Sequence, residues 1–386
     1  MTTRTRFWVL LVSTPVMAFA LVGGYLGQVM AKDGTFQHLR VFEDVVSLVV
    51  NNYVEEVDVK HAMQGALKGL AEGLDPDSAY LTPELVKAHE SNAPAGPADV
   101  GLVLIRQYYL RVVAVREGSP AAKAGLRTGD FIRGIDDKPT RGMSMFEGSR
   151  MLQGAPSTKV KLLVFRGNAA EPHDVVLTRE RQTGTDVVSR MANPTTGYVH
   201  VLEFSKDTPA HVKAAFDALS KTGATKFVVD IRGTAKGDLE DGIATARLFV
   251  KTGTLAVRAA KAQQETITAT EADGGITAPV ALLVGQGTSG AAELLAAALD
   301  GNGRADLVGE HTLGRVARQR LIKLPDGSGL LISTQRYLTT KSAPLHERGL
   351  APKVAVEEPD VEFGAAPPPG DKALDAAVAR LAKPAA

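Results

Sequence analysis

The sequence contains no cysteine. Disulfide bonds, thiolate catalysis and cysteine metal sites are therefore excluded, and the redox compartment is left unconstrained. The sequence also lacks a large net charge, because its 44 lysines and arginines nearly balance its 43 aspartates and glutamates. No basic run is interleaved with aromatic residues, so nothing indicates nucleic-acid binding. A metal-ligand cluster is missing too, and Gly285-Gln286-Gly287 alone is too weak to indicate a nucleotide, so we expect neither metal nor cofactor.

One long uncharged run is present, at the amino terminus. It extends from Phe7 to Met30, after Arg4 and Arg6, and it exceeds the roughly 20 residues that cross a bilayer core. Positive residues before such a run favour an inside amino terminus and an outside remainder. We predict that residues 1–31 form an uncleaved membrane anchor, with the rest in the periplasm or another extracytoplasmic space. A cleaved signal peptide is the alternative.

The spacing of apolar residues changes along the remaining chain and predicts several domains. Apolar residues at helical spacing predict a helical segment over 36–92. A Pro/Ala/Gly linker follows, and alternating strands predict a β domain over 97–182. Over 183–365, strands and helices alternate, which predicts a mostly parallel sheet with right-handed crossovers. Residues 366–386 read as a Pro-rich linker and a short tail helix. The predicted fold class is multi-domain α/β.

The most informative stretch is a strand that enters a helix through a glycine-rich turn. An apolar strand, Val280 to Val284, is followed by a turn, Gly285 to Gly290, and by an Ala/Leu helix, Ala291 to Leu299. Such an elbow directs backbone N–H groups and the positive end of the helix at whatever lies above them. It is also where a hydrolase places its nucleophile.

At this elbow the chain resembles the C-terminal processing (tail-specific) serine peptidases, which use a Ser/Lys dyad and carry an inserted PDZ domain. Their stretch Gly-Ser-Ala-Ser-Ala-Ser-Glu aligns without a gap on Gly287 and Glu293, and the nucleophilic serine then falls on Gly290. Their Gly-Glu-x-(Thr/Ser)-x-Gly-Lys aligns with the stretch that ends at Arg315, where the general-base lysine would stand. The family's supporting glutamine is present as Gln319. Including weaker motifs, the resemblance extends over about 36–360.

Both chemical groups of the dyad are replaced. Gly290 has no side chain and cannot attack a carbonyl. The pKa of an arginine lies above ~12, so Arg315 cannot take a proton as a desolvated lysine can. We therefore predict that the dyad chemistry is absent. Two roles stay open for Arg315, either bidentate binding of a peptide carboxylate in the old cleft or a purely structural contact.

A third departure lies in the segment that the resemblance assigns to the oxyanion hole. The stretch from Asp230 to Gly237 matches the family's Asp-Leu-Arg-x-Asn-Pro-Gly-Gly, and the resemblance implies that the amide of Gly237 helps to form the hole. Lys236 stands where we expect the backbone to need a glycine. We therefore expect the oxyanion hole to be impaired.

Residues 117–132 resemble the core of a PDZ domain. In such domains the C-terminus of a peptide adds as a strand, and backbone N–H groups of the preceding loop hold its carboxylate. In this chain that loop follows Asp99, whose charge would repel an anionic terminus. A PDZ fold used only for packing is the alternative. The predicted peptide-binding residues are Val100, Gly101, Leu102 and Val103.

These features lead to three functional hypotheses. The first is a proteolytically inactive family member that binds polypeptide C-termini or client proteins as a scaffold or regulator. The second is an active serine-type endopeptidase that uses Ser289 as nucleophile and His311 as base. The non-catalytic alternatives are a helix cap for Ser289 and a solvated loop position for His311. The third is a subunit that associates with an active homologue or with itself.

Overall fold

The computed structural model describes residues 37–167, 171–182, 184–365 and 368–382. Of these described residues, those up to Gly69 form one compact unit, and those from Leu70 onward form a second. The described chain begins with two helices, α1 (37–52) and α2 (Val59–Glu72). The predicted membrane anchor at 1–31 lies outside the described residues. Within the described ranges, no helix has the length and apolar character needed to cross a membrane.

Seven further helices and seventeen strands follow within the described residues. The helices are α3 (Pro83–Glu90), α4 (Pro120–Lys123), α5 (Met145–Leu152), α6 (Thr208–Lys221), α7 (Leu239–Ala246), α8 (Ala291–Gly301) and α9 (Lys372–Ala382). The strands are β1 (Ala79–Leu81), β2 (Leu102–Gln107), β3 (Tyr109–Val115), β4 (Phe131–Ile135), β5 (Lys138–Pro139), β6 (Lys159–Phe165), β7 (His173–Thr178), β8 (Val187–Asn193), β9 (Thr196–Val201), β10 (Lys226–Asp230), β11 (Thr254–Ala260), β12 (Gln264–Thr268), β13 (Val280–Val284), β14 (Ala305–Gly309), β15 (Ala317–Lys323), β16 (Gly329–Leu338) and β17 (Val354–Ala355).

The central sheet has the order β17-β14-β13-β10-β9-β8. All of its pairs are parallel except β8 with β9. All five residues of β13 are buried, because α8 and its neighbours pack on one face and the tail helix α9 packs on the other. A continuous apolar run is what a strand covered on both faces requires. The predicted multi-domain α/β class with a mostly parallel core is confirmed.

A second sheet lies beside the central one and is antiparallel. Strands β15 and β16 form a hairpin joined by the turn Pro325-Asp326-Gly327, and β11 and β12 extend the sheet. The predicted helical segment 36–92 also contains a short strand, β1, which pairs with β16 at Gly329–Leu331. All three residues of β1 are buried. The strand forms because β16 offers it a free edge, and the helical spacing of the surrounding residues does not indicate this pairing.

The third sheet, of order β2-β3-β4-β6-β7, forms the predicted β domain. It lies against the elbow of the central sheet. Nη2 of Arg111 donates to Oε1 of Gln286 at 3.2 Å. A Cβ built on Gly287 would lie 2.8 Å from the carbonyl oxygen of Val113. Glycine is thus required at Gly287, because a larger residue would push the two sheets apart.

Candidate active-site cavity

The elbow between β13 and α8 has an unusual backbone. Gly290 is the N-cap of α8 and has φ 63° and ψ −121°. L-amino acids rarely adopt a positive φ, although strand-to-helix elbows that hold a nucleophile are strained in this way. Helix α8 is buried from Ala291 to Leu299, so its amino-terminal end is held firmly at this place.

A cavity of about 260 Å³ opens above the elbow. It brings together five of the residues predicted from the sequence: Gly237, Ser289, Gly290, Arg315 and Gln319. The remaining lining residues are Ala235, Asp238, Leu239, Ala317 and Arg318. Three separate segments therefore meet there: the loop after β10, the elbow, and the chain entering β15.

The space beside Gly290 is large enough for a side chain. A Cβ built there would lie 3.7 Å from Cδ2 of Leu239 and 3.8 Å from the carbonyl oxygen of Arg315. Both separations are ordinary van der Waals contacts. The cavity could therefore accept a serine at this position, and only the positive φ would oppose it, at a cost of about 1–3 kcal/mol.

Arg315 is engaged by a carboxylate of the chain itself. Its Nε donates to Oδ1 of Asp77 at 2.5 Å, and the two side chains are 17% and 1% exposed. Its Nη2 contacts the sulfur of Met145. Of the two roles left open for Arg315, these contacts favour the structural one. Asp77 was missed as a partner because it lies 238 residues earlier in the sequence, where no local pattern indicates the pairing.

Glu293 joins the elbow to the loop that carries Arg315. Its side chain is fully buried and accepts hydrogen bonds from the hydroxyl of Thr312 and the amide of Gly314 at Oε1. Oε2 accepts from the amides of Arg315, at 2.7 Å, and Gly290, at 3.3 Å. Burial raises the pKa of Glu293, and these four bonds oppose that rise. The glutamate thus fixes both family positions relative to each other.

Ser289 and His311 lie in different surroundings. Ser289 is 2% exposed, and its hydroxyl has no hydrogen-bond partner among the described residues. Since α8 is capped at Gly290 and the Ser289 hydroxyl makes no capping bond, the alternative of a helix cap at Ser289 is wrong. His311 lines a separate cavity of about 470 Å³, and its Nδ1 is 2.9 Å from the carbonyl oxygen of Thr312. The two residues predicted as an alternative nucleophile and base therefore do not share a cavity.

The loop that would form the oxyanion hole keeps a shape that needs glycine at one position. Gly237 has φ 127°, and a Cβ there would lie 2.4 Å from the carbonyl oxygen of Phe204. Lys236 is not among the described residues with positive φ, so the lysine itself has an ordinary backbone conformation, and impairment of the oxyanion hole stays a prediction. Its amine lies 2.7 Å from Oε1 of Gln182 and 3.1 Å from Oε2 of Glu203.

The predicted peptide-binding loop lies at the edge of the third sheet. Strand β2 is the edge strand, and α5 packs beside it. Val100 is buried, and Gly101 has φ 82°. A Cβ on Gly101 would lie 2.2 Å from Cβ of Ser119. The loop therefore requires the glycine, and it places Leu102 and Val103 at the start of β2.

The fold and the cavity together define the class of protein. It has a serine-peptidase core with a nucleophile-type elbow, and a PDZ-type sheet is joined to that core. A model of peptidase family S41 matches residues 195–356, and a PDZ domain model matches 111–166. The chain is 30% identical over 367 residues to the carboxy-terminal processing protease CtpA of Bacillus subtilis, over 92% of this chain and 77% of that protein. It is 32% identical over 274 residues to a carboxyl-terminal-processing protease of Synechocystis, over 70% and 64%.

A solved structure, the photosystem II D1 C-terminal processing protease, superposes with a TM-score of 0.70 at 28% identity. The match covers 82% of this chain and 86% of that one. The chain belongs to the carboxy-terminal processing proteases of peptidase family S41.

Proposed function

We propose that this family member does not cleave polypeptides but binds them, C-terminal segments included, as a scaffold or regulator. The observation that carries the proposal is the cavity above the elbow. Its nucleophile position is Gly290, and its base position is an arginine bound to a buried aspartate of the chain. Neither residue can perform the nucleophilic or the general-base step of peptide hydrolysis.

Polypeptide binding is assigned to the PDZ domain. The edge strand β2 lies beside α5, and an extended peptide can add to such an edge through main-chain hydrogen bonds. A client held there would lie next to the elbow, because Arg111 of β3 and Gln286 of the elbow are hydrogen-bonded. Association with an active homologue would couple this binding to cleavage by that partner, whereas association with a second copy of the chain would add binding without cleavage.

The proposed location of the PDZ and core domains is extracytoplasmic. It rests on the uncharged run from Phe7 to Met30 and on the two arginines before it. Digestion of these domains by protease added to spheroplasts, with a cytoplasmic protein left intact as the control, tests it together with recovery of the chain in the membrane fraction. Recovery of the full chain in the soluble cytoplasmic fraction would refute this part of the proposal.

The proposed inactivity is tested with an unstructured, fluorescence-quenched polypeptide and the purified chain. We expect hydrolysis at the rate of the buffer control, and we expect Ser289→Ala to leave that rate unchanged. Because Ser289→Ala removes a buried hydroxyl without a partner among the described residues, we expect the free energy of unfolding to rise by about 1 kcal/mol. Hydrolysis that Ser289→Ala abolishes would instead establish Ser289 as the nucleophile.

A further inference from the structure

The loop before β2 holds a carboxylate of the chain itself. Oδ1 of Asp99 accepts from the amide of Gly101 at 2.9 Å. The same carboxylate accepts from both terminal nitrogens of Arg116, at 2.9 and 3.3 Å. One backbone N–H of the predicted peptide-binding loop and the adjacent guanidinium therefore already have an anionic partner.

These are the groups that a peptide terminus would use. A terminal carboxylate is held by backbone N–H groups of a loop, and a guanidinium is the side chain best suited to bind it through two parallel hydrogen bonds. The Asp99 carboxylate has the same chemistry as a peptide terminus. Its side chain is 30% exposed and that of Arg116 is 23% exposed, so a ligand can approach both from solvent.

The backbone around Asp99 is fixed, which keeps its carboxylate in place. Asp99 and Glu180 exchange two backbone hydrogen bonds, at 3.1 and 2.9 Å. The carbonyl of Val100 accepts from Ala121 at 3.0 Å, and that of Gly101 accepts from Arg116 at 2.8 Å. A peptide could therefore displace the carboxylate only by rotating the Asp99 side chain, while the loop itself stays where it is.

We propose that Asp99 is an internal competitor for the terminal carboxylate of a bound polypeptide and that it sets the specificity of the PDZ domain. The wild-type domain then binds an extended segment through β2 and gains little from a free C-terminus. Removing the Asp99 carboxylate releases the Gly101 amide and the Arg116 guanidinium for the ligand. This inference rests on the proposed function, because it requires that the PDZ domain binds polypeptides.

The test uses the purified full-length chain and one labelled ten-residue peptide with an apolar C-terminal residue, as free acid and as C-terminal amide. We expect wild type to bind the two forms within about threefold of each other. Asp99→Gly is expected to tighten binding of the free acid at least tenfold and to change binding of the amide less than twofold. Fluorescence anisotropy gives both dissociation constants.

Two further variants separate the contacts. Asp99→Asn keeps at Oδ1 an acceptor for the Gly101 amide and for Nη2 of Arg116 but removes the negative charge and the contact at Oδ2, so we expect a smaller gain for the free acid and an unaltered fold. Adding Arg116→Met to Asp99→Gly is expected to remove most of the gain. Thermal unfolding of each variant confirms that the β domain is intact.

The outcomes distinguish the inference from the proposed function. A wild-type preference of tenfold or more for the free acid, or no gain in either Asp99 variant, would overturn the inference while polypeptide binding stands. If neither peptide binds to wild type or to any of the variants, the inference is rejected together with the PDZ-mediated binding.

Discussion

Replacing Gly290 by serine and Arg315 by lysine in the same chain is expected to produce hydrolysis that the native protein lacks. The space at Gly290 accepts a Cβ without a clash, and a lysine on the backbone of Arg315 supplies a group that can give up its proton. Positioned general bases typically contribute 10²–10⁴-fold. We therefore expect a rate at least 100-fold above wild type at pH 8, measured with the fluorescence-quenched polypeptide.

The matched control is Gly290→Ala with Arg315→Lys, which has the same backbone strain and the same base but no nucleophile. It is expected to stay at the wild-type rate. Gly290→Ser alone is expected to do the same, because arginine cannot serve as the base. If the serine and lysine variant also stays at that rate, the loss of activity extends beyond the dyad, and the altered loop around Lys236 becomes the next segment to restore.

The contact between Asp77 and residue 315 determines how the restored activity should depend on pH. Its carboxylate lies 2.5 Å from Arg315, so it would favour the charged form of a lysine at that position. We expect the rate to rise with pH as that lysine loses its proton. Adding Asp77→Asn is expected to raise the rate at pH 7–8. A rate that falls as pH rises over this range would show that another group acts as the base.

Glu293→Ala is expected to lower the free energy of unfolding by at least about 3 kcal/mol. The substitution leaves four donors without their acceptor and removes a buried side chain from the contact between the elbow and the Arg315 loop. Denaturant unfolding measures the change. Glu271→Ala, at an exposed position, is the control and should stay within about 0.5 kcal/mol. A similarly small change in Glu293→Ala would show that the four hydrogen bonds contribute little.

Glu293 also predicts how stability depends on pH. Because burial raises the pKa of Glu293 above its unfolded value, the folded state binds the proton more tightly than the unfolded state does. The stability that this contributes is fully present below about pH 4.3 and is lost as pH rises through the raised pKa. Relative to Glu293→Gln, wild type should therefore become less stable over that interval. If wild type instead becomes more stable than Glu293→Gln as pH rises, the four hydrogen bonds lower the pKa of Glu293 by more than burial raises it.

Much of the fold could be predicted from local pattern. The apolar run of β13, the glycine turn and the Ala/Leu helix α8 are neighbours in sequence, and each has its own periodicity. Strand β1 could not be predicted in this way, because three residues carry too little pattern and their partner β16 lies about 250 residues later.

The candidate site was predicted less completely than the fold. Alignment of two separate motifs assigns Gly290 and Arg315, and the structure places them in one cavity. The roles of Asp77 and Glu293 depend on burial and on contacts between distant segments, which composition and spacing do not contain. Asp99 is a partial exception. The sequence shows that an anion precedes the loop, but only the structure shows that Arg116 and the Gly101 amide already bind it.

Because Arg315 pairs with Asp77, truncating the chain before the PDZ domain is expected to destabilise the core. Cutting the chain at the predicted boundary near residue 92 would remove Asp77 and leave a largely buried cation with no counter-ion from that segment, a loss that typically costs about 3–5 kcal/mol. The same cut would strip β1 from the edge of β16. A fragment that starts at the PDZ domain would therefore be a damaged protein rather than a minimal one, and its behaviour would not report on the intact cavity.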